Sequence, residues 1–208
     1  MIALINYGLG NIQAFVNVYQ RLHIPVMVAN TPEEIRQASK LILPGVGHFD
    51  HAMHLFNKSG MRESVEFQVL DKKIPLLGIC VGMQMLAHRS DEGSEKGLGW
   101  INGEVRSLKS LLPTNAPLPL PHMGWNDISS EISSPLFTDF DPKDSRFYFL
   151  HSFYFDCADQ SSNCIATADY GEKFCCAASH ENVYGVQFHP EKSHFFGENL
   201  LKNFSENT

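Results

Sequence analysis

The chain has 208 residues, 43% of them hydrophobic and 19% charged, with a formal net charge of -7. This length suffices for an α/β domain with a sizeable core, and the negative charge argues against nucleic acids and anionic membranes as partners. No apolar run approaches the ~20 residues of a membrane span, and residues 1–6 lack the basic and apolar regions of a signal peptide. The five cysteines are scattered without a C-x-x-C pair, which is typical of reduced thiols. We therefore predict one cytoplasmic domain over residues 1–208.

Strands and helices alternate in the first part of the chain. Residues 1–6 and 26–28 predict strands, and apolar side chains at helical spacing predict a helix over 12–22 between them. Thr31 begins the next helix as the N-cap of a capping box, and residues 40–43 predict a third strand. This order is typical of an α/β fold, and we predict a mostly parallel sheet with helices on both faces.

A glycine-containing loop, residues 7–11, follows the first strand. Gly8 and Gly10 invite comparison with a dinucleotide-binding fingerprint, but Gln13 occupies the position of its third glycine. The sequence also lacks a P-loop motif, so we expect no cofactor. The loop is instead predicted to lie at the carboxyl edge of the sheet, where sites form in α/β folds.

The third predicted strand ends in a second loop of small residues, Pro44-Gly45-Val46-Gly47. Small residues allow backbone N–H groups to face a ligand, so Val46 or Gly47 could donate to an oxyanion. A plain connection between strand and helix is the interpretation that these residues favour by themselves. From this loop alone, both interpretations stay open.

Three histidines follow that loop at His48, His51 and His54. On a helix, His48 and His51 share a face, whereas His54 has rotated well away from them. No carboxylate stands beside them in a standard zinc pattern. We therefore predict surface histidines and no metal site.

Cys80 stands between an apolar run, residues 74–79, and a predicted helix that starts at Val81. Gly78 and Gly82 flank it at two residues on each side, as a sharp strand-to-helix turn requires. This is the pattern of a nucleophile elbow, in which the partial positive charge of the helix N-terminus favours a thiolate. A buried cysteine that packs after a core strand is the alternative, because free cysteines are often buried.

A candidate base and its orienting acid lie more than a hundred residues later. Apolar and polar residues alternate over 184–191, which predicts a strand with His189 and Glu191 on one face. Pro190 holds His189 in an extended conformation, and the carboxylate can accept the imidazole Nδ1 proton. Cys80, His189 and Glu191 then supply a nucleophile, its base and the residue that orients the base.

The segment from about residue 99 to 156 has a different pattern, with short strand-like pieces and proline-rich connections. We predict antiparallel strands that extend one edge of the parallel sheet. Residues 146–155 predict one long aromatic strand, in which His151 is a second possible base. Farther on, Cys175 and Cys176 face opposite ways in a strand-like run, so packing is their expected role.

These motifs together resemble those of the class I, triad-type glutamine amidotransferases. The resemblance covers essentially the whole chain and is carried in order by residues 44–47, 78–84 and 188–191. It implies a catalytic triad of Cys80, His189 and Glu191 that hydrolyses glutamine through a thioester. It also implies an oxyanion hole and a glutamine pocket. The oxyanion hole would use Val81 with Val46 or Gly47, and the pocket would be formed by Gly47, Gln84, Glu92, His151, Ser152 and Phe153.

Within this family, the chain looks most like glutaminase subunits that feed a (β/α)8-barrel cyclase, which makes imidazole glycerol phosphate in histidine biosynthesis. The closer likeness lies in residues 7–11, 122–126, 151–154 and 190–193. It implies a heterodimer with such a cyclase, in which the partner contacts Asn11, Met123, Trp125 and Lys192.

Three other functions remain open at the level of sequence. Paralogous glutaminase subunits supply ammonia to sugar-aminating enzymes of surface polysaccharide synthesis. The departures from the common pattern at Asn6 and at residues 12–15 could reflect such a partner. A non-catalytic binding module is disfavoured by the intact triad. A cysteine peptidase of related fold is disfavoured by Gln84 and Glu92, which favour free glutamine.

Overall fold

A mixed β-sheet runs through the computed structural model, which describes residues 1–113, 118–130, 133–141 and 145–208. The strands are β1 (Ile2–Ile5), β2 (Val26–Ala29), β3 (Lys40–Gly45), β4 (Leu76–Cys80), β5 (Gly103–Ser107), β6 (His122–Ser129), β7 (Arg146–His151), β8 (Phe153–Cys157), β9 (Cys164–Asp169), β10 (Lys173–His180) and β11 (Val183–Val186). The helices are α1 (Ile12–Arg21), α2 (Pro32–Arg36), α3 (Phe49–Lys58), α4 (Arg62–Glu66), α5 (Val81–Gln84), α6 (Leu108–Leu111), α7 (Gln160–Asn163) and α8 (His194–Asn207). A π-helical turn spans Phe67–Asp71, and 3-10 turns span Pro135–Phe137 and Pro190–Lys192.

One half of the sheet is parallel, with the strand order β2-β1-β3-β4-β11. Every residue of β1 and β4 is buried, which is typical of parallel strands covered by helices on both faces. The carboxyl ends of β3 and β4 lie side by side, with Gly45 opposite Cys80. The parallel half therefore brings the predicted oxyanion loop to the predicted nucleophile.

The other half of the sheet is antiparallel and continues from β11 in the order β10-β9-β6-β7. The predicted α/β class and antiparallel extension are confirmed, but the segment 99–156 contributes only β6 and β7 to this sheet in its described residues. β9 and β10 come from later in the chain, whereas β5 and β8 form a separate two-stranded sheet. Among the described residues, the extension supplies four of the nine strands of this sheet, so it is larger than a minor edge. Residues 114–117, 131–132 and 142–144 of the segment predicted to form it lie outside the described residues.

Ser152 interrupts the aromatic segment that the sequence predicts as one strand. β7 pairs with β6 and places His151 opposite His122, whereas β8 pairs with β5 in a separate two-stranded sheet. His151 Nδ1 lies 2.7 Å from the carbonyl oxygen of Phe153 and bridges the break. The prediction of one strand over 146–155 is wrong, because alternation along a segment does not reveal which neighbour each half will pair with.

Local helix signals agree well with the structure. The predicted capping box of α2 is confirmed, because Glu34 N donates to Thr31 Oγ1 and Thr31 N donates to Glu34 Oε2. Across the ranges that the structure describes, no helix combines the length and the apolar character needed to cross a membrane.

Candidate active site

Cys80 lies at a sharp turn between β4 and α5, with φ of 55° and ψ of -114°. A positive φ is unfavourable for a residue with a side chain, and such strained positions cluster at functional sites. Gly82 is required here, because a Cβ at this position would lie 1.9 Å from the carbonyl oxygen of Leu43. A Cβ at Gly78 would lie 2.6 Å from the Gly82 oxygen. The predicted strand, turn and helix are present, although α5 has only four residues.

His189 and Glu191 meet through a 3-10 turn and not through a strand. β11 ends at Val186, and Pro190–Lys192 forms the turn. His189 Nδ1 lies 2.9 Å from Glu191 Oε1, and the side chains are 3% and 2% exposed. The predicted strand over 184–191 is therefore wrong in its second half, since proline also starts helical turns readily. The contact expected between imidazole and carboxylate is nevertheless made.

The protonation of His189 depends on its two partners. Burial lowers the pKa of His189, but hydrogen bonds and charge interactions with Cys80 and Glu191 outweigh that effect and raise the pKa to about 10. His189 is therefore protonated at neutral pH. The positive charge of this imidazolium lies beside Cys80, the predicted nucleophile.

A cavity of about 420 Å³ opens in front of Cys80. This volume lies within the range of about 300–1,000 Å³ that is typical of small-molecule pockets. Glu191 is not among its lining residues and contacts His189 instead. The predicted site residues that line the cavity are Val46, Gly47, Cys80, Val81, Gln84, Glu92, His151, Ser152, Phe153, His189 and Lys192.

The loop after β3 lies directly against the elbow. A Cβ on Gly45 would lie 2.4 Å from the backbone nitrogen of Gly82, so only glycine allows this approach. Val46 and Gly47 follow at the cavity wall, and Gly47 has a φ of +87°, which glycine adopts without strain. The loop thus lies next to Cys80 in the cavity wall.

Glu92 is held at the cavity by the N-terminus of α3. Its Oε2 accepts a hydrogen bond of 2.8 Å from the backbone N–H of Phe49. A second contact joins the same two segments. Asp50 of α3 accepts hydrogen bonds from the backbone N–H groups of Ser94 and Glu95, which follow Glu92 closely in the chain. These contacts position the loop that carries Glu92.

Gln187 is a site residue that the sequence analysis did not single out. It is fully buried, and its Nε2 lies 3.8 Å from the Cys80 sulfur. Its Oε1 accepts a hydrogen bond of 3.0 Å from Gln84 Nε2. The alternation that put His189 and Glu191 on one face also placed Gln187 there, so a signal for it was present.

His151 in the cavity wall pairs with a second buried histidine, His122. His122 Nδ1 lies 2.9 Å from His151 Nε2. Burial lowers the pKa of His151 to about 3 and that of His122 to about 4. Both imidazoles are therefore neutral at neutral pH. The low pKa of His151 makes it a weak proton acceptor, which argues against it as a second catalytic base.

The free energy of unfolding is expected to fall as the pH is lowered from 6.5 to 5. The unfolded chain protonates these two histidines near pH 6.5, whereas the folded chain keeps them neutral to about pH 4. In this window the unfolded state therefore binds up to about two more protons than the folded state. Protonation then favours unfolding, so the contribution of the histidine pair to the free energy of unfolding is present above pH 6.5 and is lost below it. Urea unfolding at several pH values measures the slope.

A matched pair of variants isolates this effect. His122→Asn should reduce the slope, whereas His54→Asn at an exposed position should leave it unchanged. An identical slope in His122→Asn and the unmodified chain would contradict the assignment of a neutral buried pair.

The three histidines after the oxyanion loop lie at the surface in the structure. His48 caps α3, with its Nδ1 accepting from the N–H of Asp50, and His51 and His54 are exposed. Within the described ranges, no group of three or more histidine, cysteine or acidic side chains could hold a metal ion.

Comparison with known proteins gives a consistent result. The family model for class-I glutamine amidotransferases matches residues 3–207. The chain is 58% identical to the imidazole glycerol phosphate synthase subunit HisH of Bdellovibrio bacteriovorus, over 99% of this chain and 100% of the relative. It is 44% identical to the subunit of the same name from Leptospira interrogans, over 99% of both chains. A solved glutamine amidotransferase shares the fold, with a TM-score of 0.75 at 19% identity, and the match covers 99% of this chain and 97% of that one.

Proposed function

This chain belongs to the class I glutamine amidotransferases, and on that premise we propose that it is the glutaminase subunit of imidazole glycerol phosphate synthase. It hydrolyses glutamine to glutamate and ammonia. The ammonia passes to the cyclase subunit of the heterodimer, which makes imidazole glycerol phosphate in histidine biosynthesis. The carrying observation is 58% identity over 99% of the chain to a subunit of that name. The cytoplasm is the compartment we propose for it.

The first half of the proposed reaction forms a thioester. The Cys80 thiolate attacks the side-chain amide carbon of glutamine, and the carbonyl oxygen becomes an oxyanion. His189 then donates its proton to the leaving nitrogen, the C–N bond breaks, and ammonia departs. The raised pKa of His189 supports this role, because the proton is in place before the attack.

The second half hydrolyses the thioester. Neutral His189 takes a proton from water as the water oxygen attacks the thioester carbon. The C–S bond breaks, glutamate leaves, and the thiolate–imidazolium pair is restored. Glu191 accepts from Nδ1 throughout and stabilises the imidazolium, which its 2.9 Å contact supports.

The oxyanion of both steps is assigned to backbone donors beside Cys80. The N–H of Val81 starts α5, and the loop of Val46 and Gly47 supplies the second donor. One such donor typically contributes ~3 kcal/mol to stabilisation of the transition state. Gln84 and Glu92 border the same cavity, and we assign them, with residues 151–153, to the binding of glutamine.

The cyclase is proposed to dock beside the cavity. Met123 and Trp125 are 65% and 45% exposed, and they lie two residues apart on β6, so they share one face of the strand. Neighbouring exposed apolar side chains of this kind are typical of a protein interaction surface. Trp125 stacks on His194 at 5.5 Å, and Lys192 Nζ lies 5.7 Å from the Tyr148 ring centroid. With exposed Asn11, these residues form the docking face that we propose. A docked partner can receive ammonia before water protonates it to unreactive ammonium.

The decisive experiment purifies the chain together with the cyclase from the same genome and measures glutamine hydrolysis with and without the cyclase substrate. We expect a complex and a glutaminase rate that the ribotide substrate stimulates. No complex and no stimulation, together with binding of a sugar-aminating homologue, would refute the histidine pathway and leave only the glutaminase assignment.

Trp125→Ala tests the docking face. Buried aromatic side chains are frequent interface hot spots, so we expect the affinity for the cyclase to fall roughly 30-fold. Phe67→Ala is the matched control, because Phe67 is 47% exposed and belongs to the π-helical turn instead of β6. Titration calorimetry measures both, and equal affinities for the two variants would count against the proposed face.

A further inference from the structure

A chain of hydrogen bonds runs from β6 to the wall of the glutamine cavity. Asn126 Nδ2 donates to the carbonyl oxygen of Asp169 at 2.7 Å and lies 3.3 Å from His122 Nε2. His122 Nδ1 lies 2.9 Å from His151 Nε2. His151 Nδ1 lies 2.7 Å from the carbonyl oxygen of Phe153, which lines the cavity.

The acceptor at the end of this chain determines every tautomer. A carbonyl oxygen can only accept, so His151 Nδ1 carries the proton and the neutral ring leaves Nε2 as an acceptor. His122 must then donate from Nδ1, which leaves its Nε2 to accept from the Asn126 amide. All four imidazole nitrogens are satisfied in one arrangement only, and both rings are neutral in it.

The His122 ring is also held in place by its neighbours. It stacks on Tyr170 with a centroid distance of 4.1 Å and an interplanar angle of 24°. It stacks on Phe149 at 4.8 Å and 22°. The direction in which Nδ1 points is therefore set by packing as well as by hydrogen bonds.

The Phe153 carbonyl connects this chain to the nucleophile. The same oxygen accepts from Gln84 Nε2 at 3.2 Å, and Gln84 also donates to Gln187 Oε1 at 3.0 Å. Gln187 Nε2 in turn lies 3.8 Å from the Cys80 sulfur. A shift of the Phe153 carbonyl would therefore alter the orientation of Gln84 at the floor of the cavity.

We propose that His122 is a positioning residue for glutamine binding. It does not line the cavity, and it acts through His151 on the carbonyl of Phe153 and the amide of Gln84. This inference rests on the proposed glutaminase function. It adds a reason why β6 matters to the site: its outward side chains, Met123 and Trp125, form the proposed docking face, while His122 points inward to the pocket wall.

Two substitutions separate the hydrogen bond from the packing of the ring. His122→Phe keeps the aromatic stack but removes both nitrogens, so His151 Nε2 becomes a buried acceptor without its donor. His122→Asn loses the stack but retains an N–H at the position of Nδ1. If His122 has a purely structural role, His122→Phe should impair glutamine binding less than His122→Asn does. If His122 has the positioning role, His122→Asn should impair it less.

The measurement uses the complex with the cyclase and compares KM with kcat. We expect His122→Phe to raise KM for glutamine about tenfold, while its kcat stays within about threefold of the original value. For His122→Asn, we expect both KM and kcat to stay within about threefold of the original values. Glutamine affinity is measured separately by calorimetry with Cys80→Ser in each background, independently of turnover. The rate of Cys80 alkylation by iodoacetamide, which does not need the pocket, should stay within about twofold of the original chain.

Unchanged glutamine affinity in His122→Phe, or a greater loss in His122→Asn than in His122→Phe, overturns the inference. A third outcome separates the two proposals: the original complex binds glutamine but releases no ammonia, and His122→Phe weakens glutamine binding. In that case the proposed reaction is wrong and the positioning role of His122 is supported. If the original chain binds no glutamine at all, both are wrong.

Discussion

Replacing Cys80 by alanine is expected to abolish ammonia release from glutamine, with a loss of turnover of at least about 10⁴-fold, because no nucleophile remains to form the thioester. Activity is measured as ammonia release in the complex with the cyclase. The fold should persist, since alanine is smaller than cysteine and meets the same φ of 55° at the turn. Retention of substantial glutaminase activity by a folded Cys80→Ala chain would refute the assignment of the nucleophile.

The other four cysteines of the chain are internal controls for the identity of the nucleophilic thiol. An alkylating analogue of glutamine should label Cys80, because Cys80 alone of the five cysteines borders the cavity assigned to glutamine. Mass spectrometry of the labelled peptides decides the result. The cysteines that should remain unlabelled are Cys157, Cys164, Cys175 and Cys176.

His189→Ala should cost nearly as much turnover as the loss of Cys80, about 10⁶-fold, whereas Glu191→Gln should cost less, about 10⁴-fold. The first change removes the proton carrier of both half-reactions. The second leaves an oxygen that can still accept from His189 Nδ1, which keeps the tautomer and the ring orientation.

The surroundings of Glu191 explain why Glu191→Gln is expected to be the milder of the two changes. In the described parts of the chain, its buried Oε2 has no hydrogen-bond partner. An amide can therefore place its NH₂ at that position without displacing an existing contact, and its oxygen toward His189. The lost negative charge should lower the pKa of His189, because interaction with Glu191 helps to raise it. Equal and complete losses in a folded Glu191→Gln chain would mean that the carboxylate does more than orient and stabilise the imidazole.

The sequence by itself determined the features that depend on neighbouring residues. The capping box at Thr31 arises from hydrogen bonds between residues three apart, which a short stretch specifies completely. The elbow around Cys80 could be predicted from Gly78 and Gly82, although the group that requires glycine at position 82 is the Leu43 carbonyl of the neighbouring strand. The contact between His189 and Glu191 could also be predicted, because residues two apart meet in a strand and in a tight turn alike. The glutaminase assignment followed from these motifs and their order.

Only the tertiary structure decided which distant groups meet in the cavity wall. The contact between His122 and His151 joins residues 29 apart, and that between Gln187 and Cys80 joins residues 107 apart. Both depend on strand order and register, and a shift of one residue would reverse the faces that these side chains occupy. The break at Ser152 has the same origin, since β7 and β8 find different partners. The alternation of apolar and polar residues along one segment predicts which side chains share a face of the strand. Which element packs against that face depends on the packing of the whole chain.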